Sequence, residues 1–213
     1  MRRSLVELIA RMTVRDGNIN SDQSVSWHAY REAEALSDAS LINELAEYVQ
    51  RESKQDCRGA AYFILGKLGE KFPASQCAAI LVAHAKNEKN KYVLATLLDA
   101  LAHVSKPSDL DLTPVYALLG DDRWLVRHSA IQSLKRTNSP KVEDMILHVL
   151  ETTGDPYDLV YCQATLNEIG SAKAIPFIAR NLKSRKRDVK DSAQLAIEAI
   201  EAREQRNASR LIC

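Results

Sequence analysis

Apolar residues recur along this chain at steps of four, four and three, over and over. Taking the first position of each unit as zero, they start at Val25, Cys57, Val93, Val126, Asp158 and Val189. Four positions on come Ala29, Ala61, Leu97, Ala130, Cys162 and Ala193. Eight on come Ala33, Leu65, Leu101, Leu134, Leu166 and Ile197, and eleven on Leu36, Leu68, Val104, Thr137, Ile169 and Ile200. Such steps hold one stripe on one face of a 3.6-residue helix. Only Asp158 and Thr137 break the apolar rule.

The starts are 32, 36, 33, 32 and 31 residues apart. Each stripe is followed by a break and a second apolar segment. Laid on each other without gaps, 126–150 and 158–182 match Leu134 with Leu166, Met145 with Phe177 and Leu150 with Leu182. The breaks hold Ser37, Gly69, Ser105, Asn138 and Gly170, residues suited to helix ends. Pro73, Pro107, Pro140 and Pro156 also fall between segments, where a missing N–H does least harm. The pattern predicts a helix–turn–helix unit, and a lone pair of this kind cannot cover its apolar face. The expected fold is therefore all-α: an α-solenoid of about six stacked helix pairs.

Around the repeats the chain reads as one domain over 1–213. Residues 1–24 form a capping helix, Arg3 to Val14, and a polar loop. The repeats run over 25–203, and 204–213 is expected to fray. Asp158 is the one charge at the start of a core stripe. It follows Asp155-Pro156, a helix-start signal, so it is expected to cap backbone N–H groups there or to meet the favourable end of the helix dipole. Its replacement by valine is expected not to stabilise.

Two stretches carry a family resemblance. CRGAAYFILGKLG (57–69) and IGSAKAIPFI (169–178), with DDRWLVRHSA (121–130), resemble the short HEAT-like repeats first named from phycobilisome lyases. The shared features are V-R with Ala four later, L-G-x-I-G at a helix end and A-I-P opening the next helix. The resemblance implies a right-handed superhelix with the second helix of each unit lining the concave face. It is specific for architecture, because this fold hosts many functions.

Composition narrows the function classes. Of 213 residues, 29 are basic and 28 acidic, a net charge of +1. A chain living on phosphate backbones usually carries more basic excess. No uncharged run approaches the ~20 apolar residues of a membrane span, and Glu7 and Arg11 interrupt any signal-peptide core. Cys57, Cys77, Cys162 and Cys213 form no C-x-x-C pair, which suits reduced thiols and a cytoplasmic location.

Positions two, six, nine and thirteen point away from the core stripe. They hold three basic residues, Arg31, Lys106 and Lys135, against six acidic ones, Glu34, Asp38, Glu70, Asp99, Asp191 and Glu198. Trp27 and Phe63 stand there beside Gly59, Gly66, Ala95 and Ala102, which suggests an apolar groove. The expected partner-binding residues are Trp27, Arg31, Phe63, Asp99, His128, Gln132 and Lys135. The expected function is a non-enzymatic protein-binding scaffold whose partner has a basic surface. One alternative is a nucleic-acid-binding protein, or an alkylpurine DNA glycosylase of HEAT type using Trp27, Trp124 and Asp99. Another is an immunity-type protein neutralising a basic toxin. The run KSRKRDVK offers Lys183, Arg185, Lys186, Arg187 and Lys190 to phosphate, or is a solvated turn. No histidine pairs with another His or Cys at ligand spacing within one helix, so no metal and no cofactor is expected; a site assembled across repeats stays open.

Overall fold

A computed structural model of the chain describes residues 1–17, 20–73, 76–137 and 139–211. Asn138, one of the predicted break residues, and Cys213 lie outside the described residues. Among them the secondary structure is helical, with one isolated bridge, Lys106 to Thr137. The chain divides into two compact units, 1–105 and 106–213.

The first unit holds α1 (Arg3–Met12), α2 (Val25–Ala35), α3 (Leu41–Arg51), α4 (Gln55–Lys71), α5 (Cys77–Ala85) and α6 (Lys91–His103). Helix α1 buries Leu5, Leu8, Ile9 and Met12 and packs on α2 and α4. Helix α4 is central, touching α2, α3, α5 and α6. Its closest neighbour is α6, because a Cβ at Gly66 would come within 2.8 Å of Ala100 Cβ. Gly66 is thus a helix-crossing residue, and Ala95 and Ala102 are buried as well. Gly69 lies inside α4 and marks no break there.

The second unit holds α7 (Thr113–Tyr116), α8 (Trp124–Ser133), α9 (Pro140–Thr152), α10 (Pro156–Ile169), α11 (Ile175–Ala179) and α12 (Arg187–Leu211). Helix α10 packs between α8 and α12, with α9 behind it, and α11 lies against α12. Pro140 and Pro156 open α9 and α10, where no N–H is missed. The predicted end of the pattern at Arg203 is not the end of the helix. The unit that starts at Val189 is one continuous helix among the described residues.

The core stripe is realised almost throughout. Val93, Val126 and Val189 are 6%, 0% and 2% exposed. Val25 departs from the expectation at 41%. It opens α2 directly after the Ser24 cap, and the segment alongside is the polar loop, whose Asp16 accepts from Ser26 N at 3.1 Å. Lys106 departs in the other direction: it is buried, its Nζ donating to Lys135 O at 2.6 Å.

Asp158 is buried in the first turn of α10, at the favourable end of the helix dipole, but caps no backbone group. The cap of α10 is Asp155, whose carboxylate accepts from Tyr157 N at 2.8 Å. Asp158, in the first turn, instead accepts from the Arg127 side chain one repeat earlier. The cause is electrostatic: a buried guanidinium needs a carboxylate more than an already capped helix end does.

Candidate functional site

The expected partner-binding residues divide between the units. In the first, Trp27 is 43% exposed, with the Arg31 guanidinium 4.5 Å from its ring centroid. Arg31 also reaches Glu34 at 2.8 Å. Phe63 is half-buried and meets Tyr30 edge to face, ring centroids 4.9 Å apart. It lines a cavity of about 210 Å³ with Lys67, Glu70, Thr96, Asp99 and His103. Phe63 and Asp99 are therefore brought together, whereas Trp27 is not among the residues lining that cavity. A second cleft, about 440 Å³, lies along Arg58, Tyr62, His84 and Glu88, none of them a predicted site residue. Burial pushes the His84 imidazole below its ordinary range.

Arg58 joins successive repeats. Its Nε and Nη2 donate to the two Glu88 oxygens at 2.8 and 3.0 Å, and Nη1 donates to Ser53 O. Arg127 repeats the device in the second unit. Its Nε lies 2.9 and 2.8 Å from the Asp158 oxygens, Nη2 reaches Asp155 at 3.0 Å, and Nη1 donates to Asp121 O. Both arginines stand one position after a stripe start, the V-R position of the sequence pattern.

His128, expected to meet a partner, is instead buried at 6% exposure. Its ring stacks on Tyr161 at 4.4 Å and 25°, with Trp124 at 5.6 Å and Tyr157 at 6.4 Å. Burial among these rings lowers its pKa, which favours the neutral imidazole. The solvent-facing groups are its neighbours: Trp124 is 62% and Tyr157 65% exposed. Tyr157 escaped the sequence reading because it lies one position before a stripe start, outside the positions assigned to the open face. Gln132 and Lys135 are half-buried on α8 and just beyond it.

His128, Asp155 and Asp158 also bring ligand-type atoms within 4.8 Å of one another. Two come from the start of α10 and its cap, and one from α8. No spacing within a single helix could reveal this set. The basic run lies at the start of α12, with Lys183, Arg185, Lys186, Arg187 and Lys190 all exposed; Arg187 pairs with Asp191 at 3.2 Å.

Residues 112–198 match the family of HEAT repeats. The match lies within the second unit. Two solved structures share the fold over nearly the whole chain. One is an engineered protein, with TM-score 0.56 and 18% identity, covering 94% of this chain and 98% of that one. The other is a designed armadillo repeat protein, with TM-score 0.53 and 15% identity, covering 92% and 99%. At such identities the likeness carries the helical-repeat fold alone. No curated protein matches the chain. No described helix is long and apolar enough to cross a membrane.

Proposed function

We propose that this chain is a non-enzymatic protein-binding scaffold, working in the cytoplasm, whose HEAT repeats present aromatic anchors from α8 and α10. The observation that carries the reading is the exposure of Trp124 and Tyr157 on α8 and α10. Both rings flank the buried His128, so their backbone positions are held by packed helices. Exposed apolar groups on a rigid surface tend to be contact sites, and Trp and Tyr are the usual anchors of interfaces.

A basic partner surface fits the acidic side of the balance. Lys106 is withdrawn into the interior, which leaves Arg31 and Lys135 as the basic groups among the positions assigned away from the core stripe. Arg31 is itself paired with Glu34. Acidic groups such as Asp99 and Asp191, both exposed, would then steer a basic partner toward the surface. Cys57 and Cys162 are free thiols, in keeping with a reducing compartment.

The test is selection of binders from a displayed peptide library with the full chain, then measurement of each against Trp124→Ala and Tyr157→Ala. Anchors should cost about 2 kcal/mol of binding each, with the melting temperature unchanged. Binders that hold both variants as tightly as the wild type would sink the reading. Duplex DNA is the counter-probe for the exposed run 183–190, since a nucleic-acid reader binds with a steep salt slope.

A further inference from the structure

We propose that His128, Asp155 and Asp158 form a binding site for a divalent transition-metal cation of the zinc class, built across two successive repeats. This goes beyond scaffold function and stands on different atoms. His128 Nε2 lies 3.0 Å from Asp158 Oδ1, and the His128 side chain is 8% exposed. Yet Nε2 makes no hydrogen bond. Two atoms that ordinarily share a proton are at contact distance with no proton aligned between them.

A buried polar atom left in that state costs about 1–3 kcal/mol. A shared cation removes the cost. Two ligands of a tetrahedral zinc, each about 2.0–2.1 Å from the metal, stand about 3.3 Å from each other. The observed separation is close to that value. The ring cannot simply turn away, because it is stacked on Tyr161 and closed in by Trp124. Packing therefore fixes the direction of Nε2, as the shell around a metal-binding histidine normally does.

The charges and the remaining lone pairs also fit. Two carboxylates face one guanidinium, so the cluster keeps one negative charge in excess. Each carboxylate oxygen offers two lone pairs. Asp158 Oδ2 keeps Arg127 Nε and the Thr153 hydroxyl, at 2.8 Å each, while Oδ1, 2.9 Å from the same Nε, turns its other lone pair to the metal. Asp155 keeps Tyr157 N on Oδ1 and Arg127 Nη2 on Oδ2. Arg127 thus becomes the group that orients both carboxylates. The Asp155 side chain is 33% exposed, which provides a path from solvent. An imidazole with two carboxylates selects zinc-like ions over magnesium or calcium, which prefer all-oxygen sets.

The experiment titrates the chelator-treated full chain with zinc by calorimetry, alongside magnesium and calcium. It also records the absorption spectrum of the cobalt(II) form. A single zinc equivalent is expected to bind, at least about tenfold more tightly than magnesium or calcium. His128→Ala and Asp155→Asn should each weaken it by about 10–100-fold. Asparagine can still cap α10, so Asp155→Asn keeps the test valid if His128→Ala misfolds. The cobalt spectrum should be that of a low-coordinate N/O site. Absence of zinc binding overturns the proposal. So does binding that Asp155→Asn leaves intact, or a thiolate-to-cobalt band that assigns the ion to a cysteine.

Discussion

Arg127 Nε lies 2.9 and 2.8 Å from the two carboxylate oxygens of Asp158, the residue that opens the next repeat's core stripe. The pair is nearly closed to water, the side chains being 17% and 4% exposed. It turns what looks like a polar error in the repeat pattern into a tie between neighbouring repeats. Arg58 and Glu88 make the same kind of tie in the first unit, at 17% and 4% exposure.

The tie predicts that the repeat consensus is wrong at this position. Asp158→Val restores an apolar stripe start but takes from Arg127 Nε its carboxylate, leaving Asp155 on Nη2 alone. Removing one partner of a buried pair typically costs about 3–5 kcal/mol. Thermal or urea unfolding should show a loss of that order, and a rise in melting temperature would refute the pairing. Glu88→Ala should behave in parallel through Arg58.

Two glycines on α4 should respond in opposite directions to alanine. At Gly66 the new methyl meets Ala100 Cβ at 2.8 Å and its backbone Cα at 3.0 Å, so α6 has to shift. Overpacking of that kind costs about 1–3 kcal/mol. At Gly59 a Cβ meets nothing within 4 Å. There Gly59→Ala should stabilise by about 0.5–1 kcal/mol through helix propensity. Equal effects at both positions would mean that α4 and α6 do not cross at Gly66.

Phe63 and Trp124 are separated by the same logic. Phe63→Ala removes a half-buried ring from its contact with Tyr30, and an aromatic pair is worth about 0.5–1.5 kcal/mol beyond the area it buries. Its melting temperature should fall measurably. Trp124→Ala, at 62% exposure, should stay within about 0.5 kcal/mol of the wild type. A large loss at Trp124 would show that it is a packing residue and would remove it as an anchor.

Lys106 should leave a signature in the pH dependence of stability. Burial lowers its ammonium pKa to about 7, despite the opposing pull of Glu168. In the unfolded chain the value is about 10.4. Between these values the unfolded state binds a proton that the folded state does not, so stability rises with pH from about 7 to about 10. Going down through that window the contribution is lost, and below it the group adds no further pH dependence. Lys106→Met should flatten this slope and raise stability at neutral pH by on the order of 1 kcal/mol. An unchanged slope would show that Lys106 does not titrate in this range.

The repeat architecture was legible because a helix that buries one face must repeat its apolar residues at fixed steps. Val93, Val126 and Val189 obey that rule, and the V-R dipeptides and Asp155-Pro156 mark helix starts with local chemistry that needs no partner. The open face was less legible. Helix phase assigns Gly66 and Ala102 to it, yet both are buried, Gly66 against Ala100 of α6, since a face turned from one neighbour can be turned toward another. Lys106 and His128 failed for a related reason: whether a polar side chain is covered depends on what the next helix places over it. Tyr157 needed the actual rotation of α10, a fraction of a turn that an idealised 3.6-residue step does not specify. The sequence by itself determined the helices, their stripe and the repeating unit, because those follow from local periodicity. Tertiary structure alone decided that Arg127 would answer Asp158, that His128 would lie beneath Tyr161 and beside two carboxylates, and that Trp124 and Tyr157 would stay in water, because each of these depends on atoms about thirty residues apart meeting across the repeat.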